Sequence, residues 1–168
     1  MKSQQGFTLI ESLVYIGLFA IIMSGVFVSL FGITQGSQRI GTKVMLQQEG
    51  SFMLSKIDWA LTGLQNINPI DQPVLGAASS NLLQVNKTDL SITDLVIKQE
   101  SAEMKIARNG VDFIPLDNSN VDVSNLQFIH LGTAVGPEWV KASFTLTTKT
   151  YDGQTISQNF ETTKYVRK

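Results

Sequence analysis

The residue with the most specific chemical setting is an acid. Glu11 stands in the string Gln4-Gln5-Gly6-Phe7-Thr8-Leu9-Ile10-Glu11-Ser12-Leu13 and is the one charged residue between Lys2 and Arg39. The apolar run over residues 7–33 would extend ~40 Å as a helix, against a hydrocarbon core of ~30 Å. A carboxylate in such a helix costs roughly 2.5–3.5 kcal/mol at the bilayer centre and less near an end. An acid kept there calls for a cationic partner, and the run contains no cation. Cleavage between Gly6 and Phe7 would create one. The new α-amino group on Phe7 lies four residues before Glu11, on the same helical face, and the first turn itself favours negative charge. That amine could meet its own Glu11 or that of a neighbouring chain.

The remaining candidates for chemistry are few. The absence of cysteine removes disulfides, thiolate metal sites and thiol nucleophiles together. A single histidine, His130, excludes a cage of several histidines. It alternates with Phe128 in a strand-like pattern and reads as a structural histidine at a sheet face or edge. The string Asp117-Asn118-Ser119-Asn120-Val121-Asp122 carries the oxygen ligands calcium prefers, yet it lacks the helix-loop-helix frame and a closing glutamate. Asn and Asp are also ordinary turn residues, and no metal or cofactor is assigned. No G-x-S-x-G, H-E-x-x-H or P-loop string is present, so a membrane-tethered enzyme has no constellation behind it. Trp59 and Trp139 read as packing residues, and Lys164, Arg167 and Lys168 as a solvated basic end. The net charge of −1 and the lack of a basic patch give no reason to expect nucleic acid.

The element that must position Glu11 is the apolar segment. It is too long for the ~7–15-residue core of a secretory signal and no A-x-A cleavage pattern follows it. A plain membrane anchor would share the composition but leaves Glu11 unexplained. Gly25, Ser29, Gly32 and Gly36 recur at i, i+4, i+7 and i+11 and so share one face, where small side chains let helix backbones approach. Glycine is also common in membrane helices generally. Gly17 and Gly25 could let the helix loosen locally. Lys2 on one flank and Arg39 and Lys43 on the other leave orientation undecided by positive charge.

These residues resemble the N-terminus of a type IV prepilin or pseudopilin: Lys2, Gly6, then Phe7-Thr8-Leu9-Ile10-Glu11-Ser12-Leu13 ahead of a long apolar helix. In that family a short leader ends in glycine, and a membrane aspartyl peptidase cuts after it and N-methylates the new terminal Phe. The resemblance covers roughly the first fifth of the chain. It implies that Gly6 and Phe7 are the processing site, and that Glu11 neutralises the terminal amine of an adjacent subunit during filament assembly. It further implies a leader in the cytoplasm and the remaining domain outside it. The partners implied are prepilin peptidase, other pilin or pseudopilin subunits, an inner-membrane assembly platform, and membrane lipid before assembly. Asp58-Trp59-Ala60-Leu61, Ser124-Asn125-Leu126-Gln127-Phe128 and Thr162-Thr163-Lys164-Tyr165-Val166-Arg167 look similar to minor pseudopilins of the J type. The C-terminal disulfide loop of many pilins cannot form here.

Beyond residue 33 the helix is expected to continue. Leu46, Gly50, Met53, Ile57, Leu61 and Leu64 form one stripe at helical spacing, suited to packing on a sheet. Asn66 to Pro73 reads as a loop, and Gly76-Ala77-Ala78-Ser79-Ser80-Asn81 as a mobile connector. Strands are expected around Leu83 and Val85, Leu95 and Ile97, and Leu126 to His130. Asn109-Gly110 suits a two-residue type I′ turn, pairing Arg108 with Val111 and Ile106 with Phe113, so that Met104, Ile106, Val111 and Phe113 share a face. For the last hairpin a two-residue Asp152-Gly153 turn would set Phe144 against Glu161. A three-residue loop, Tyr151-Asp152-Gly153 with Gly153 left-handed, instead pairs Phe144 with Phe160, Leu146 with Gln158 and Thr148 with Ile156. A one-residue slip turns over every side chain, and the three-residue loop is the reading adopted.

The expectation is an α+β fold, a long N-terminal helix packed on an antiparallel sheet. Residues 1–6 form a leader, 7–33 a membrane and assembly helix, 34–64 its continuation, and 65–168 a globular β domain. The functional expectation is a structural subunit, a minor pilin or pseudopilin of a type IV pilus or type II secretion pseudopilus, and no enzyme. It would sit in the inner membrane as a single-pass protein before entering the filament. The alternative is a single-pass anchored extracytoplasmic binding or sensor domain that does not polymerise.

Overall fold

The computed structural model describes residues 8–64, 70–76, 78–87, 92–132 and 136–166. One helix, α1 (Leu9–Leu61), precedes eight strands: β1 (Ile70–Gln72), β2 (Leu82–Lys87), β3 (Ile92–Glu100), β4 (Glu103–Arg108), β5 (Val111–Pro115), β6 (Asp122–Gly132), β7 (Glu138–Lys149) and β8 (Thr155–Val166). The chain divides into two compact units, Met1–Gly41 and Thr42–Lys168.

In the first unit α1 is apolar and exposed, with Leu9, Ile16, Val28 and Ile33 all more than two-thirds accessible. The helix is long and apolar enough to cross a membrane, with a mean hydropathy of 2.4 over its most apolar window. Three of its hydroxyls are satisfied within the helix: Ser24 donates to the Ile21 carbonyl at 2.7 Å, Ser29 to Gly25 at 3.0 Å and Thr34 to Leu30 at 2.9 Å. That removes most of the cost of placing them in hydrocarbon.

In the second unit the remainder of α1 buries the expected stripe, Leu46, Gly50, Met53, Ile57 and Leu61, with Leu64 buried just past the helix end. The spacing of four and three residues keeps these positions on one face. They meet alternate residues of the strands: Leu83 and Val85, Leu95 and Ile97, Val140 to Leu146, and Phe160. Each fully buried aliphatic side chain contributes roughly 1.5–3 kcal/mol. Gly50 has a particular reason to be glycine, because a Cβ there would fall on the Phe160 ring.

The expected single sheet is two. β1-β2-β3-β4-β5 and β6-β7-β8 are each consecutive and antiparallel throughout. β1 occupies part of the segment expected as loop. The connector before β2 is not loose either. Gly76 N–H donates to the His130 carbonyl at 3.0 Å, and Ser80 exchanges two backbone bonds with Phe128 at 2.9 and 2.7 Å. This segment therefore stitches the first sheet to β6.

The two hairpins divide. In β7–β8 the pairs Phe144↔Phe160, Leu146↔Gln158 and Thr148↔Ile156 are as expected, with Gly153 at φ 80°. In β4–β5 the turn is right, with Asn109 and Gly110 at φ 55° and 66° and Arg108 opposite Val111, but the pairing beyond it is not. Asp112 adopts φ 56°, the register shifts, and Ile106 opposes Ile114. A bulge adds one residue to one strand and reverses the side chains beyond it. Phe113 consequently leaves the face of Met104 and Ile106 and lies under Lys98, 4.0 Å from its ammonium.

Candidate functional site

Gly6 and Phe7, the expected processing site, lie outside the described residues. The first described turn is built from Thr8. It precedes the helix, and its hydroxyl accepts the Glu11 backbone N–H at 3.4 Å while its carbonyl accepts Ser12 N–H at 3.2 Å. Thr8 is thus the N-cap and Glu11 the third helical residue, the Thr-x-x-Glu spacing of a capping box. This local role needs only the Glu11 backbone. Its carboxylate is exposed in the first turn and forms no ion pair among the described residues. The placement answers the helix dipole and leaves the charge available to another group.

Gly25, Ser29, Gly32 and Gly36 all lie on α1, and a Cβ at any of the three glycines would meet nothing within 4 Å among the described residues. The stripe is therefore open along its length. Its use in packing is not a property of one chain.

The other candidates resolve into structural roles. His130 is buried; its Nδ1 lies 3.1 Å from the Pro73 carbonyl and its Nε2 3.3 Å from Glu138 Oε2, itself buried. In the 117–122 string, Asp117 Oδ1 accepts Met104 N–H at 3.0 Å and Asn118 Oδ1 accepts Asn120 N–H at 3.1 Å, so both serve the local backbone. Burial pushes the Asp117 carboxyl above its ordinary range, against the lowering effect of its backbone hydrogen bonds. Among the described residues no three His, Cys, Asp or Glu side chains are grouped to hold a metal. On the β3–β4 hairpin, Lys105 bridges Glu100 at 3.3 Å and Glu103 at 3.2 Å. Its hydrogen bond and charge hold Glu100 below the usual carboxylate range. Trp139 packs on Tyr165, ring centroids 6.1 Å apart. Lys164, expected as part of a solvated basic end, pairs with Asp58 at 2.9 Å; Arg167 and Lys168 lie outside the described residues.

Two structural residues had no sequence signal. Lys87, buried on β2, donates to the Trp59 carbonyl at 2.7 Å and lies over the Trp59 ring at 4.5 Å. It supplies the cation that the last turn of α1 lacks. Gln99 donates to the Val123 carbonyl at 3.2 Å and accepts Leu126 N–H at 3.0 Å. Its amide replaces the ladder that β6 loses at the Asn125 bulge, where φ is 54°.

A family model described as the prokaryotic N-terminal methylation motif matches residues 1–27. Neither a curated protein nor a solved structure matches the chain. The matched span holds Gly6, Phe7 and Glu11 and the start of the apolar helix, and such a motif implies processing by prepilin peptidase. The chain thus carries a prepilin-type N-terminal methylation motif ahead of a helix apolar enough for a membrane, with antiparallel sheets packed on the helix's second half.

Proposed function

We propose that the chain is a structural subunit, a minor pilin or pseudopilin of a type IV pilus or type II secretion pseudopilus. Prepilin peptidase cuts it after Gly6 and methylates Phe7. The apolar helix then leaves the bilayer for a bundle of sister helices, with Gly25, Ser29, Gly32 and Gly36 as the close-packing face and the β domain outside the cytoplasm. The chain catalyses nothing itself. The finer assignment as a J-type subunit rests on the resemblance of the strings at 58–61, 124–128 and 162–167 alone.

One observation carries the reading: a methylation motif over residues 1–27 coincides with an acid in the first turn of an apolar helix, unpaired among the described residues. A buried charge that loses its partner costs several kcal/mol. The pairing of Glu11 with a terminal amine avoids burying either charge alone.

N-terminal sequencing of the protein made with and without a prepilin peptidase tests the proposal. A methylated Phe7 as first residue, only with the enzyme, supports it. Retention of Met1 in the presence of active enzyme overturns it and leaves a non-polymerising anchored domain. Glu11→Ala is expected to insert into the membrane normally and fail to enter filaments. Normal filament yield from that variant refutes the pairing role.

A further inference from the structure

A groove of about 660 Å³ lies between the end of α1 and the outer strand of the larger sheet. It owes its shape to the Asp112 bulge. Residues three apart on a regular strand point to opposite faces, but the extra residue turns Val111 and Ile114 to the same side. Both line the groove, and both are 62% exposed. Trp59, Ile106 and Leu116, each partly buried, and buried Ala107 extend the apolar surface. β5 is also the terminal strand of its sheet among the described residues, and one edge of its backbone is unpaired by them, an opening for strand addition.

Two cations flank this surface. Lys56 contacts the Phe52 ring at 5.1 Å and the Arg108 guanidinium the Trp59 ring at 6.0 Å. Neither forms an ion pair among the described residues. Lys98, Lys105, Lys141 and Lys164, by contrast, each hold a carboxylate within 2.9–3.5 Å. Asp112 on the rim leaves an excess of one positive charge.

We propose that this groove binds an extended segment of another polypeptide, which pairs with the free edge of β5. Its apolar side chains cover Trp59, Val111 and Ile114, and a carboxylate between them meets Lys56 and Arg108. The charge complementarity selects the occupant. Two cations are too few for a nucleic-acid backbone, and a uniformly acidic strand would meet Asp112. One acid between apolar neighbours on the same face satisfies both sides. The inference does not depend on processing or filament assembly.

The test uses the full chain in detergent micelles with Trp139→Phe, which makes Trp59 the sole tryptophan. The probe is the peptide acetyl-Thr-Val-Thr-Asp-Thr-Val-Thr-amide; the control carries Lys in place of Asp. The Asp peptide is expected to change Trp59 emission saturably, and the Lys peptide to bind about tenfold more weakly or not at all. Arg108→Glu, an exposed substitution, should reverse that preference, and Lys56→Glu should weaken the Asp peptide. Absence of saturable binding by the Asp peptide, equal binding of both peptides, or an unchanged preference in Arg108→Glu overturns the proposal.

Discussion

Replacing Gly50 by alanine adds one methyl group where the helix meets Phe160. On an isolated helix the change would stabilise by about 0.8–1 kcal/mol, because glycine is the poorer helix former. Here the new Cβ falls on the ring. The ring has little room to move, since it is nearly buried and stacked on Phe144 with centroids 5.5 Å apart and planes at 18°. Overpacking of this kind costs typically 1–3 kcal/mol. The net expectation is a loss of about 0–2 kcal/mol where helix propensity alone predicts a gain. Urea unfolding of the full chain in mild detergent, followed by near-UV dichroism, reads the difference. Phe160→Leu removes the obstructing ring, so alanine at position 50 should regain its stabilising effect in that background, a coupling of about 1–3 kcal/mol. Gly50→Ala more stable than the parent by the full helix-propensity gain, with no coupling to Phe160, would refute the close approach.

Gln99→Leu keeps the volume but leaves Leu126 N–H and the Val123 carbonyl without the amide between them. A loss of about 1–3 kcal/mol is expected in the same unfolding assay, with the largest rise in amide hydrogen exchange at Leu126. Asp117→Asn retains an oxygen for Met104 N–H and removes a carboxylate whose folded-state pKa is raised by burial. A raised acid loses stability as pH climbs from the unfolded value, about 3.9, through the folded one. The variant should therefore match the parent near pH 3 and exceed it at neutral pH; equal stability at both ends contradicts the assignment.

What the sequence made legible follows from the range of each interaction. The stripe from Leu46 to Leu64 repeats every three or four residues, a purely local signal, and all six positions are buried. The β7–β8 register was legible because only one loop length set Phe144 against Phe160 and Thr148 against Ile156. In β4–β5 the same reasoning found the turn and failed two residues later. Nothing in Val111-Asp112-Phe113 announces that an aspartate will take φ 56°, because it is one of several residues that tolerate that conformation. The division into two sheets was hidden for another reason: alternation looks the same whichever sheet a strand joins. Lys87 and Gln99 act on backbone groups 28 and 24 residues away, and no spacing rule reaches that far. At the candidate site, Thr8 and Glu11 already displayed the Thr-x-x-Glu spacing of a cap. The local hydroxyl meets the Glu11 backbone N–H and leaves its carboxylate to a partner beyond the helix.

The link between His130 and Glu138 is specified by hydrogen count rather than by shape. A carbonyl oxygen only accepts, so Nδ1, 3.1 Å from the Pro73 oxygen, must carry a hydrogen. Nε2, 3.3 Å from Glu138 Oε2, then either donates to an ionised carboxylate or accepts from a protonated one. Both arrangements keep one proton between the two side chains, and an arrangement without it sets a lone pair against a carboxylate. Glutamine at position 138 preserves the satisfied state with a neutral imidazole: its amide N–H donates to Nε2 while Nδ1 still donates to Pro73. Glu138→Gln should therefore change stability little and leave the Nδ1–H tautomer visible in the nitrogen shifts of His130. His130→Ala removes the donor to Pro73 and one hydrogen-bond partner of a buried carboxylate at once, and should cost about 1–3 kcal/mol. The ordering is the test. A simple volume argument also makes the alanine variant the weaker one, but it predicts that His130→Leu, which fills most of the space, recovers the loss. On the hydrogen-bond account His130→Leu stays close to alanine, and near-parent stability of the leucine variant would refute it.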